Sequence, residues 1–195
     1  MSITLFNIDF FRNFGLVLTP SLLVPDFEVK TIYEVQNVLG PTIKGIIIDV
    51  DQTIVAYGNL LVDDGIQEEL ARVKSLYLCC LLSNFPKTSA KRERLKGIEM
   101  QIGIPIVLAK RKKPDPEAFQ AALEELKLKP GQVAMVGDRV FTDIMGANNC
   151  GIVTVLVCPL NSKTDPYVMV TIPRLIEQAC LKIIKIFYRR RRNEI

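Results

Sequence analysis

From Lys44 onward, short apolar runs alternate with stretches in which apolar positions return every three or four residues. The runs have the length of buried strands and the stretches the period of amphipathic helices. This pattern predicts strands over 45–50, 76–82, 105–108, 133–136 and 152–157, and helices over 64–74, 89–100, 116–126 and 141–149. Pro116 suits the first turn of its helix, and Pro114 fixes the loop before it. Repeated strand–helix units predict an α/β fold: a mainly parallel five-stranded sheet with right-handed crossovers and helices on both faces.

In such a sheet a ligand sits beyond the carboxyl ends of the strands. The first predicted strand ends at Asp49-Val50-Asp51 and the second at Ser83-Asn84. The third leads into Lys110-Arg111-Lys112-Lys113-Pro114, and the fourth ends at Gly137-Asp138, with Asp143 five residues on. Each of the four tips therefore delivers a carboxylate, a hydroxyl or an amine. A lone Asp-x-Asp is most often a strand ending in solvated acids. The other three tips turn that reading around.

Composition narrows the chemistry. With 195 residues and 49% hydrophobic residues the chain can bury one sizeable core. It has no His, which excludes His-activated nucleophiles, phosphohistidine intermediates and zinc held by imidazole. The five Cys form no CxxC pair, and none has an Arg six positions later, so a cysteine-dependent phosphatase loop is absent. Cys79, Cys80 and Cys150, in or beside apolar stretches, read as reduced core residues. The net charge of +4 is uneven: from Arg174 onward seven basic residues face two acidic ones, and the remainder carries −1. An anionic partner is therefore expected at the C-terminus. No secretory signal is evident, and no apolar run reaches the 18 or more residues that crossing a bilayer requires.

The strand-tip residues suit phosphoryl transfer, which is mainly positioning and charge neutralisation. A phosphomonoester dianion repels a carboxylate unless a cation binds both, and Mg2+ prefers such hard oxygen ligands. Asp49, Asp138 and the backbone carbonyl of Asp51 are the expected ligands, with Asp143 binding directly or through water. Asp49 is the candidate nucleophile and Asp51 the candidate acid and base. Ser83 is expected to donate its hydroxyl to a phosphate oxygen, with Asn84 as a substrate-binding neighbour. Lys113, chosen over Lys110 and Lys112 because Pro114 follows it, supplies positive charge.

Asp49-Val50-Asp51-Gln52-Thr53, Ser83-Asn84, Lys113-Pro114 and Gly137-Asp138-Arg139-Val140-Phe141-Thr142-Asp143 resemble the four motifs of the haloacid dehalogenase (HAD) superfamily. The resemblance covers about residues 44 to 158. It implies a Rossmann-like HAD fold, Mg2+, an aspartyl-phosphate intermediate, and a helical turn and hairpin flap after the first strand, the flap falling near 59–62. The second Asp of the first motif marks phosphatases and phosphotransferases in that superfamily. Gln52 stands where an acidic residue or Asn is usual. The 33 residues between Asp49 and Ser83, and the 29 between Ser83 and Lys113, leave no room for a cap domain.

Leu22-Leu23-Val24-Pro25-Asp26, Ala118-Phe119, Thr142-Asp143-Ile144, Gly146-Ala147-Asn148 and a basic C-terminal extension are similar to the capless IIIA-type group, which includes phosphatidylglycerophosphate phosphatases. The resemblance implies dephosphorylation of that lipid to phosphatidylglycerol, as part of phospholipid biosynthesis. Two alternatives stay open: a soluble sugar or nucleotide phosphate as substrate, and a non-enzymatic phospho-acceptor of receiver type. Asp51 speaks against the latter.

As a helix, the tail puts Ile172, Leu175, Ile176, Ala179, Ile183 and Ile186 on one half and Arg174, Gln178, Lys182, Lys185 and Arg189 on the other. It is expected either to meet an anionic membrane surface or to pack on the sheet with its polar face in water. Few aromatics sit among its basic residues, which disfavours nucleic acid. Phe6, Phe10, Phe11, Phe14 and residues 16–18 form a second apolar patch. The expected layout is an N-terminal extension (1–40) on the core or at a membrane, a phosphatase core (41–165) and a basic amphipathic C-terminal helix (166–195). The expected location is cytoplasmic, peripheral on the inner face of the membrane.

Overall fold

The computed structural model describes residues 19–84, 88–161 and 171–192. Six strands form one parallel sheet: β1 (Phe27–Val29), β2 (Gly45–Ile48), β3 (Leu78–Asn84), β4 (Ile106–Ala109), β5 (Val133–Gly137) and β6 (Val153–Val157), in the order β1-β6-β5-β2-β3-β4. The helices are α1 (Asp64–Leu76), α2 (Ser89–Ile102), α3 (Pro116–Leu126), α4 (Met145–Asn149) and α5 (Ile172–Arg192).

The two faces of the sheet bury different helices. Ile46 and Ile48 point with Val136 and Val155 into a core shared with Ile66, Leu70 and Val73 of α1 and Leu95, Ile98 and Ile102 of α2. Between them, Ile47 points the other way, with Cys80 and Met135, onto Phe119, Ala122 and Leu126 of α3 and Ala147 of α4. A strand buried on both faces reads as an unbroken apolar run rather than an alternation, which is why β2 is Gly-Ile-Ile-Ile. Each such Ile or Leu contributes about 1.5–3 kcal/mol on burial.

Local chemistry sets the helix ends. Asp63 accepts from the N–H of Gly65 to cap α1, and Thr88 accepts from Lys91 N–H to cap α2. Asp115 accepts from Glu117 N–H, with Pro116 in the first turn of α3. Gly103, with φ 61°, ends α2 in the left-handed conformation that glycine adopts without a steric cost.

The sixth strand, β1, was not expected. It is only Phe-Glu-Val, and it pairs with β6 through contacts distant in sequence. Thr154 N–H donates to Asp26 Oδ2 (2.8 Å), and Asn148 Nδ2 donates to the carbonyls of Leu22 (2.8 Å) and Val24 (3.0 Å). The expected hairpin flap near 59–62 does not form: the segment is irregular, with turns at 52–54 and 57–58 before it, and beyond the strands the described residues there hold only an isolated bridge between Asp51 and Val55. Its backbone groups are satisfied from α2 instead, by Gln101 to Leu60 and Val62 and by Arg94 to Asn59, so a partner strand is unnecessary. The helix expected over 141–149 begins as a π-helical turn, Val140–Ile144, before α4.

The tail helix α5 packs with the opposite face to the one expected for a helix resting on a core. Arg174 and Glu177 turn inward and are buried, while Leu175, Ile176, Ile183 and Ile186 are 51–58% exposed. The charged side faces inward because it finds buried partners there. Leu181 supplements it, packing with Leu23, Val140 and Met145. No helix among the described residues is long and apolar enough to cross a membrane. The apolar patch between Phe6 and residue 18 lies outside the described residues.

Candidate active site

Strand order reverses around β2, with β3 and β4 on one side and β5, β6 and β1 on the other. The crevice at such a switch point lies beyond the tips of the two central strands. Here they are β2 and β5, in register with Ile48 opposite Val136, and Asp49 N–H donates to the Val136 carbonyl (2.9 Å). Asp49 and Asp138, each just past its strand, are therefore neighbours.

Asp143 is delivered to the same point by the π-helical turn, a local widening often found at functional sites. Its carboxylate folds back over Gly137, where a Cβ would lie 2.4 Å from Asp143 Oδ2. Arg139 N–H donates to that Oδ2 (3.1 Å). Asp49, Asp138 and Asp143 each offer a carboxylate oxygen within 4.8 Å of the others. Asp143 Oδ1 is buried and takes no aligned hydrogen bond, although Lys113 Nζ stands 2.7 Å away as an ion-pair partner. A group of hard oxygens with spare lone pairs suits a small divalent cation, so the residues present fit Mg2+.

Lys113 bridges the group, its ammonium contacting both Asp49 Oδ1 and Asp143 Oδ1. Lys110 and Lys112, by contrast, are exposed. Asn84 sets the position of Lys113: its side-chain carbonyl accepts from Lys113 N–H (2.9 Å), tying the tip of β3 to the loop after β4. Ser83, Asn84, Asp51 and Lys113 line one cleft of about 660 Å3 with the three clustered carboxylates, and no inserted domain covers it.

Asp51 faces elsewhere than Asp49. Gln52 adopts φ 66°, a left-handed conformation costing a non-glycine residue about 1–2 kcal/mol, and so turns the chain at once after Asp51. Its amide offsets that cost by a reciprocal pair with the Asn161 backbone, each bond 2.8 Å. The Asp51 carboxylate then lies at the cleft wall, where Arg94 Nη2 donates to Oδ1 (2.7 Å).

Burial raises the Asp49 carboxyl to about 8, with Lys113 opposing and Asp143 and Asp138 adding to the rise. Burial likewise raises Asp138 to about 6, helped by Asp143 and opposed by Arg174. For Lys113, burial alone would lower the pKa, but Asp143 and Asp49 overcome it and raise the group above the usual lysine value. Both rises come from burial and from the crowding of like charges.

Three charged residues at this site escaped the sequence reading. Arg174 Nη1 donates to Asp138 Oδ2 (2.5 Å) from α5. Glu177, one turn on, receives Arg139 Nε and Nη2 (3.0 and 2.6 Å) and Val140 N–H (3.1 Å). Arg94 reaches Asp51 from α2. A faint signal existed for Arg174 and Glu177: opposite charges three apart on one side of a helix whose other charges are all basic. Arg94 had none.

Comparison with known proteins agrees with this geometry. The family model for mitochondrial PGP phosphatase matches residues 11–159. The chain is 28% identical over 165 residues to the probable phosphatase YqeG of Bacillus subtilis (strain 168), covering 83% of this chain and 91% of that protein. It is 29% identical over 144 residues to phosphatidylglycerophosphate phosphatase 1, chloroplastic/mitochondrial, of Arabidopsis thaliana, covering 71% of this chain but only 41% of that protein. An uncharacterized protein from Listeria monocytogenes serotype 4b shares the fold, with a TM-score of 0.51 at 23% identity, over 66% of this chain and 88% of that one. The chain belongs to the mitochondrial PGP phosphatase family and is a phosphoric monoester hydrolase.

Proposed function

We propose that the protein removes the terminal phosphate of phosphatidylglycerophosphate through an aspartyl-phosphate on Asp49. The observation that carries the chemistry is the carboxylate group of Asp49, Asp138 and Asp143 closed around Lys113 at the strand switch point. The family match and the named activity of the Arabidopsis relative support the lipid substrate.

Mg2+ held by Asp49, Asp138, Asp143 and the backbone carbonyl of Asp51 would offset the charge of the phosphoryl oxygens. Asp49 attacks phosphorus, forming its Oδ–P bond as the bond to the glycerol oxygen breaks. Asp51 gives that oxygen its proton, then takes one from the water that attacks the aspartyl-phosphate. Inorganic phosphate leaves and Asp49 is restored. Lys113 holds the Asp49 carboxylate and offsets the phosphoryl charge, while Ser83 donates to a phosphate oxygen and Asn84 keeps Lys113 in place.

A cleft without a cap suits a headgroup presented at a surface. The outward stripe of Leu175, Ile176, Ile183 and Ile186, followed in sequence by Arg189 to Arg192, favours the anionic inner face of a membrane as that surface. Residues 41–165 then carry the chemistry, and residues 1–40 and 166–195 serve packing and attachment from the cytoplasmic side.

The test is phosphate release from phosphatidylglycerophosphate in mixed micelles and from soluble sugar and nucleotide monophosphates, with Mg2+ and then with chelator. Preference for the lipid, lost with chelator, is the expected result. Equal or greater turnover of a soluble monoester would move the substrate to that class.

A further inference from the structure

Arg174 reaches the metal-binding carboxylates from the last helix of the chain, outside the strand tips that carry the four motifs. Its guanidinium is buried against Asp138 Oδ2, and its side chain lines the same cleft as Asp49, Ser83 and Lys113. Glu177 fixes it there, because four bonds to Arg139 and Val140 lock that turn of α5 to the loop bearing Asp138. We infer that Arg174 is a positioning residue that balances the charge of the site: it restrains cation binding at Asp138 and favours the phosphate dianion. This deepens the Mg2+ phosphatase reading and rests on it.

Asp49, Asp138 and Asp143 carry three negative charges, Lys113 one positive charge and Arg174 another. With all three ionised the cluster stands at −1, and a divalent cation that takes the place of any protons held there brings it to +1. Without Arg174 it would stand at −2 and then at 0. A neutral site gives a phosphate dianion no net attraction, whereas a site at +1 does. The same guanidinium would repel a divalent cation, yet by donating to Oδ2 it holds the plane of the Asp138 carboxylate. Loss of that orientation alone would weaken the metal. In a buried site the removed repulsion is the larger effect, because it acts between a single and a double charge at close range.

The two ligands should therefore respond in opposite directions to one substitution, which a merely structural contact would not produce. In full-length Arg174→Gln, titration calorimetry with Mg2+ alone should show binding tightened by about tenfold, and inorganic phosphate at saturating Mg2+ should bind about tenfold more weakly. Arg174→Lys, which keeps the charge, should restore both constants to within about twofold of the unsubstituted protein. Both constants weakening together, or neither moving, would overturn the role. Should Arg174→Gln fail to fold, Arg174→Lys decides: equal losses of Mg2+ and phosphate affinity overturn it, and retained phosphate affinity upholds it. A parent protein that takes up no Mg2+ would defeat the metal reading itself, and this role with it.

Discussion

Asp143 joins the carboxylate cluster only because residue 137 has no side chain. A Cβ there would stand 2.4 Å from Asp143 Oδ2 and 2.7 Å from its Cβ, so one of the two must move. Gly137→Ala should cost about 1–3 kcal/mol by overpacking and raise the Mg2+ concentration for half-maximal activity, measured by thermal melts and metal titration. Unchanged metal dependence would mean that Asp143 is not a ligand. Asp49 permits a sharper test. Asn matches its shape and can still accept from Lys113, but its amide oxygen is a poor nucleophile. Asp49→Asn should lower turnover by at least about a thousandfold with a native circular dichroism spectrum. Substantial residual activity would remove Asp49 from the nucleophile's place.

At the scale of elements, α5 joins the chemistry to the outer surface. Glu177 is 1% exposed and carries three of the bonds that hold the helix to Arg139 and Val140. Glu177→Ala leaves the Arg139 guanidinium without its buried partner and should cost about 3–5 kcal/mol in denaturant unfolding. A loss below about 1 kcal/mol would show that the helix is held by Leu181 and its apolar neighbours alone. The outer side permits an independent test. Ile176→Glu with Ile183→Glu should reduce sedimentation with vesicles rich in anionic lipid by at least about tenfold without lowering the melting temperature. Equal sedimentation would take the membrane off this face. The periodicity of α5 was plain in the sequence, but its orientation was not. That depends on Asp138 and Arg139, which lie 36 and 38 residues before their partners and belong to another element. The same reason hid Arg94, which meets Asp51 across 43 residues. Strands β2 to β6 were legible because burial on both faces leaves apolar runs that no solvated segment would show. Three-residue β1 leaves no such trace and is fixed by Asp26, Asn148 and Thr154. Asp26 and Asn148 fall within the short segments that resembled the capless group, so the resemblance registered a contact whose geometry it could not give.

The whole molecule registers the site as a dependence of stability on pH and metal. Asp49 and Asp138 have carboxyls raised from 3.8 to about 8 and about 6, burial being the first cause of each. Between pH 4 and 8 the folded protein therefore holds more protons than the unfolded chain, and stability falls as pH rises through that window. Lys113 works in a separate range, since its raised value affects stability only above the ordinary lysine pKa near 10.5. At the proposed site protons and Mg2+ would compete for the same oxygens, so the cation should stabilise little at pH 5, where the carboxyls are held protonated. It should stabilise most at pH 8, by about 2.7 kcal/mol at a hundred times its dissociation constant. Thermal melts at pH 5, 6.5 and 8, each with Mg2+ and with chelator, should show the two curves separating as pH rises. In Asp49→Asn, which removes the group with the higher pKa, most of that separation between pH 6.5 and 8 should vanish. A gap of constant size across the three pH values would mean that the cation binds elsewhere than at the crowded carboxylates.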